Sequence, residues 1–127
     1  MSNAGTEVVR PALVIIRADR NQQQIDDSGA RRNGPVSQHT WDRVQESIMA
    51  AISTSGGVLR FQGSGPDPLL SEHFAALAEA WVALCDMPVE HVAGFEDLLR
   101  TIAVDCGLRH IWCVPVEQHA GIVVRPF

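Results

Sequence analysis

The chain contains no lysine and no tyrosine, so all ten of its positive charges are arginines. The first absence removes phosphate loops that set a lysine on the β- and γ-phosphates. It also removes Schiff-base chemistry, which needs a titratable amine. The second absence removes a phenol as acid or oxyanion donor. Three cysteines occur without a Cys-x-x-Cys pair, which reads as reduced, mostly buried thiols. No apolar run approaches the roughly 18–20 residues of a spanning helix, so no membrane partner is expected. No charged-then-apolar leader opens the chain, and a cytoplasmic location is the expectation that follows.

What remains is a chain of 127 residues, 46% of them hydrophobic, which suits one domain with a real core. Residues 1–6 are set aside as a flexible N-terminus, where Ser2-Asn3-Ala4 reads as a tag remnant as readily as a native start. Residues 7–127 form the expected single domain. Residues 1–60 hold seven arginines against six acids, a net of +1, and residues 61–127 hold three against nine, a net of −6. Only Arg31-Arg32 approaches a basic cluster, and Asp26 and Asp27 lie close by. Nucleic acid is therefore not an expected partner.

Val8–Ile16 is rich in β-branched residues and reads as a strand, with Pro11 suggesting an edge. Residues 18–36 carry few apolar positions and read as a long polar loop, a feature that is usually functional or unstructured. Trp41, Val44, Ile48 and Ile52 recur at helical spacing and predict a helix from Ser37 to Thr54, stopped by Gly56-Gly57. Val58–Phe61 is a second strand, expected to run parallel to the first through a βαβ unit. Leu69–Cys85 reads as an unusually apolar helix after an Asp67-Pro68 cap. A third helix, with the stripe Phe95, Leu98, Leu99, Ile102 and Cys106, ends at Gly107. Ile111–Val116 and Ile122–Val124 read as a closing hairpin. The expected fold is α/β, with α+β as the alternative. Its order is β-α-β-α-α-β-β around a mixed four-stranded sheet with helices packed on it.

Four groups of residues invite a functional reading. The turn Gly63-Ser64-Gly65 between a strand and a helix start can cradle an anion, although the third glycine of a dinucleotide fingerprint is missing. Cys106, His110, Cys113 and His119 supply four soft ligands, but alternation along a strand sets His110 and Cys113 on opposite faces, and no metal is expected. Cys85 and Cys106 fall near helix C-termini, where the dipole disfavours a thiolate. The polar loop offers Asp19, Arg20, Asp26, Asp27, Arg31 and Arg32, with His39, His73 and His91 as bases elsewhere.

Two functions survive, and neither calls for a cofactor. One is a non-catalytic interaction module that pairs with itself or another protein through the Glu72, Ala76, Glu79 and Ala83 face of the apolar helix, or through a sheet edge. The other is a small enzyme or ligand-binding domain. It would hold a small molecule between the 18–36 loop (Arg20, Arg31, Arg32) and the Gly63–Asp67 turn (Gly63, Ser64, Gly65). The interaction module, as a homo-oligomer, is the favoured expectation.

Overall fold

The structure, a computed structural model, describes residues 11–66 and 79–117. Its elements are β1 (Pro11–Asp19), β2 (Asn21–Ile25), β3 (Arg31–Pro35), α1 (Gln38–Thr54), β4 (Val58–Pro66), β5 (Glu79–Pro88), a 3-10 turn (Val89–His91), α2 (Val92–Asp105) and β6 (Trp112–Glu117). The order across the main sheet is β4-β5-β1-β6, and β2-β3 is a separate hairpin.

Each neighbouring pair in the main sheet is antiparallel. β1 and β4 do run in the same direction, as a crossover helix between them requires, but β5 lies between them. A strand is likewise inserted into β5-α2-β6, where β1 separates the two. These interlocked units make the split βαβ arrangement of ferredoxin-like domains, an α+β fold, with the β2–β3 hairpin inserted between β1 and α1. Pro11 marks the first residue of β1, not an edge: β1 is central, and a proline at a strand start removes no interior ladder bond.

Both helices form where the apolar period predicts them. Ser37 caps α1, its Oγ accepting from the Thr40 amide at 3.2 Å. Trp41, Val44, Ile48, Ala51 and Ile52 of α1 and Val92, Phe95, Leu99 and Ala103 of α2 are buried. They pack on Ala12, Val14, Ile16 and Ala18 of β1 and on Trp81, Ala83, Cys85 and Met87 of β5. The sheet supplies mostly small side chains here and the helices supply the bulky ones, so the two layers approach closely. Both buried indoles are satisfied: Trp81 Nε1 donates to Gln62 Oε1 at 3.1 Å, and Trp41 Nε1 to Glu79 Oε2 at 3.4 Å.

The two helices also end alike. After α1, Gly56 and Gly57 donate to the Ser53 and Ile52 carbonyls, and after α2, Gly107 and Leu108 donate to those of Val104 and Ala103. This is the Schellman closure, which needs a left-handed residue, supplied by Gly56 at φ 73° and Gly107 at φ 70°. His91 Nδ1 donates to the Ser55 carbonyl at 2.8 Å and ties the 3-10 turn to the end of α1.

Three further expectations need correction. Residues 79–85 are not helix: they belong to β5, whose inner residues alternate in burial between β1 and β4. A continuous apolar run carries no period of its own, and pairing with both neighbours decides it. Gly63-Ser64-Gly65 is not a turn: β4 continues through it, opposite Val82, Trp81 and Ala80. Residues 18–36 are not a structureless loop: they close β1, form the β2–β3 hairpin and lead into α1. The expected strand Ile122–Val124 and the segment 69–78 lie outside the described residues.

Candidate functional site

Alternation on the four strands gives the sheet a second face, away from the helices. Register sorts its side chains into rows that run from β4 through β5 and β1 to β6. The first row is Val58, Asp86, Leu13 and Val116; the second is Phe61, Leu84, Ile15 and Val114; the third is Gly63, Val82, Arg17 and Trp112. Nine of these twelve positions carry an apolar side chain. The four inner ones, Leu13, Ile15, Val82 and Leu84, are half-buried. Those on the outer strands stand in solvent: Phe61 is 58% exposed and Trp112 52%.

Among the described residues, the charged side chains of this face are paired. Arg17 Nε donates to Asp19 Oδ1 at 2.8 Å. At the opposite end Arg60 pairs with Asp86 across β4 and β5. Arg60 sits in the irregularity between Leu59 and Phe61, an extra residue that bends the edge strand. The other edge, β6, contains Pro115, which has no N–H to offer a new strand. A bulge with a charge on one edge and a proline on the other are features that blunt strand addition. The apolar surface is thus concentrated on the face, not the edges.

The residues singled out in the sequence scatter elsewhere. Arg20 holds the hairpin base: its Nε donates to the Val36 carbonyl and its Nη1 to Glu79 Oε1, both at 2.9 Å. Arg31 and Arg32 lie at the outer end of the hairpin, opposite Ile25 and Gln24, and are exposed. Gly63, Ser64 and Gly65 offer an extended strand, in which amides alternate in direction and do not converge on an anion. Asp67 and His73 lie outside the described residues.

Of the expected interface, Ala83 is fully buried against the helices, Glu79 binds Arg20, and Glu72 and Ala76 lie outside the described residues. Asp26 folds its own turn: Oδ1 accepts from Ser28 N at 2.9 Å, from the Ser28 hydroxyl and from Ala30 N at 3.0 Å. The Ser28 hydroxyl bond, then the Ala30 amide, hold its pKa below the usual carboxylate value. Asp27 and His39 are exposed.

All three thiols are held protonated. Burial, then the neighbouring Asp86, pushes Cys85 up to about 11. Burial, then Glu96, pushes Cys113 to about 11, and burial raises Cys106. His119 lies outside the described residues, among which no three His, Cys, Asp or Glu side chains gather to hold a metal. No helix among those residues is long and apolar enough to cross a membrane.

The exposed face escaped the sequence reading because β1 is apolar on both sides and residues 79–85 of β5 read as helix. A strand apolar on both sides reads as covered on both. The signal was in β6, where Trp112, Val114 and Val116 recur at a spacing of two.

No known family profile and no curated protein matches the chain. Among solved structures, the C-terminal domain of the MgtC protein from Mycobacterium tuberculosis aligns with a TM-score of 0.51 and 15% identity over 91% of this chain and 96% of that one. The methylated RPA0582 protein aligns with a TM-score of 0.52 and 9% identity, covering 91% and 86%. An unknown protein from Galdieria sulphuraria aligns at 0.47 and 12% identity over 87% of this chain, which spans half the length of that protein. At these identities the first two likenesses are ones of fold, and the chain is a single α+β domain.

Proposed function

We propose that the domain is a non-catalytic interaction module that self-associates, two copies packing their exposed sheet faces together. The carrying observation is the three-row apolar face with its charges already paired. Among the described residues, a strongly charged partner finds no unpaired charge there to select it. A second copy brings the same neutral apolar surface.

Two-fold symmetry also suits the pattern. With the axis along the strands, Phe61 of one copy meets Val114 of the other, and Leu84 meets Ile15, within the same row. Trp112 falls opposite Gly63, so the largest side chain of the third row meets its smallest. Four strands about 4.8 Å apart, and rows spanning about 20 Å, cover a patch whose pairing removes on the order of 1,000 Å² from water. That is near the lower bound for a specific interface, so the expected dimer is reversible.

Sedimentation velocity over a concentration series tests this. The chain is expected to sediment as a monomer–dimer mixture, and Val114→Arg as a monomer with its melting temperature nearly unchanged. A chain that stays monomeric throughout, or a Val114→Arg variant that still dimerises, would overturn the reading. Should the chain instead bind a different protein through this face, the free chain will be monomeric, and the self-association part fails outright.

A further inference from the structure

A second surface adjoins the sheet face and shares Trp112 with it. α2 and the returning segment 108–113 enclose a groove of about 510 Å³, within the usual range for small-molecule sites. Leu99, Ala103 and Leu108 are buried and, with the half-buried Ile111, form an apolar lining. Its polar groups are placed unequally along the length. Arg109 and His110 stand where the chain leaves α2, while Glu96 stands at the other end, close enough to raise the Cys113 pKa.

Arg109 is held, not neutralised. Its Nη1 donates to Gln23 Oε1 at 2.9 Å, and no carboxylate pairs with it among the described residues. By contrast, Arg100 on the opposite wall is paired with Asp97. Gln22 Oε1 accepts from the Arg109 and His110 amides at 3.2 and 3.4 Å, which fixes the segment that carries both side chains. The His110 ring is set edge-on to Trp112, with centroids 4.6 Å apart. The hairpin thus holds an uncompensated arginine in the lining of an apolar groove.

We infer that this groove binds a small amphipathic monoanion, an aryl or alkyl carboxylate. Its charge sits on Arg109 and its apolar body lies along Leu99, Ala103 and Ile111. Glu96 at the far end disfavours a second negative group, so dianions are poorer ligands than monoanions of similar size. Arginine suits the role because its planar fork accepts a carboxylate in a bidentate pair. The inference does not rest on self-association, since the Arg109 charge and the apolar lining belong to one copy.

The test is a titration of the full-length chain with 4-phenylbutyrate and, separately, 4-phenylbutanol, followed by amide chemical shifts. The acid is expected to saturate with a Kd on the order of 1 mM and to shift the amides of Ala103, Val104 and Arg109–Ile111. The alcohol and the Arg109→Gln variant should each bind about tenfold more weakly or worse, and Arg32→Gln should bind like the parent. Equal binding of acid and alcohol would overturn the inference. So would shifts confined to Phe61, Leu84 and Val114, equal losses in the two arginine variants, or no saturable binding at all. None of these outcomes alters the sedimentation result.

Discussion

The four-stranded sheet and the β2–β3 hairpin are both antiparallel β structure, yet different forces hold them. Every strand of the sheet has apolar side chains packed on it or beside it. The hairpin contributes none to the core between Arg20 and Pro35, and its one large apolar residue, Ile25, is 47% exposed. An isolated two-stranded hairpin is at best marginal in water, so this one depends on what it is tied to. Its ties are polar, the Arg20 guanidinium at its base and amides along its length. Gln22 Nε2 donates to the Asp19 carbonyl at 2.6 Å and the Ile25 amide to that of Gly107 at 2.9 Å, while within the hairpin Gln24 Nε2 donates to the Gly34 carbonyl at 3.0 Å. Hydrophobic burial is strong, whereas such bonds are individually modest and depend on position. The sheet is therefore the scaffold, and the hairpin is a fitting that orients the segment bearing Arg109.

Phe95→Ala gives the largest expected effect because it strikes the scaffold. The ring is fully buried in the core, and its loss costs about 3–5 kcal/mol, lowering the melting temperature by roughly 10–25 °C. Phe61→Ala removes the same ring from the exposed face and should cost the monomer under about 1 kcal/mol. Calorimetry at a concentration low enough to keep the chain monomeric checks the pair. Similar losses at both positions would mean that the outer face is covered within one copy.

Gly107→Ala comes next, at the junction of the two regions. A left-handed conformation costs a residue with a side chain about 1–2 kcal/mol. Here the new Cβ would also lie 2.6 Å from the Ile25 carbonyl oxygen. Gly56→Ala is the control, since it meets the same backbone cost but its nearest new contact is 3.5 Å away. The excess of the first loss over the second therefore measures the docking of the hairpin on the end of α2. Chemical denaturation gives both losses. Hydrogen exchange should show faster amides over residues 21–35 in Gly107→Ala alone.

How much of this was legible in the sequence follows the same division. The helices were readable because their apolar period and their glycine stops are local. Trp41, Val44, Ile48 and Ile52, and likewise Phe95 and Leu99, lie on the buried faces that their spacing implies, whereas Leu98 of the expected stripe is 36% exposed. β5 was misread because Ala80–Cys85 is apolar at every position, and only its pairing with β1 and β4 distinguishes strand from helix. The hairpin was invisible for the opposite reason: its residues have no apolar alternation, and its bonds reach Gly107, Arg109 and His110, more than eighty residues away in sequence. The candidate surfaces share that fate. Phe61 and Val114 share one face only through the strand order, and Arg109 looks like any surface arginine until the chain places it at a groove.

The two regions should also separate by pH. Cys85 and Cys113 have folded pKa values of about 11, raised from 9.0 chiefly by burial. Their contribution to stability is fully present below pH 9 and is lost as pH rises toward 11, because the unfolded chain gives up these protons first. The melting temperature should therefore fall between pH 9 and 11, and fall less steeply in Cys113→Ala. An unchanged slope in that variant would assign the alkaline loss to other groups.

The smallest effect belongs to the hairpin and has the opposite sign in pH. Asp26 is depressed below the ordinary carboxylate value by the Ser28 hydroxyl and the Ala30 amide. A carboxylate with a lowered folded pKa stabilises above its unfolded pKa, and that help is lost as the pH drops through the depressed value. The side chain is fully exposed, so the loss should reach the turn and go no further. In acid, the Ser28 and Ala30 amides should exchange faster than those of β1 or β5 once the intrinsic pH dependence is divided out. Asp26→Ala should reproduce that protection pattern at neutral pH, with the global melting temperature unmoved. Were the whole chain to melt earlier instead, the hairpin would be part of the scaffold, and the distinction between the two regions would collapse.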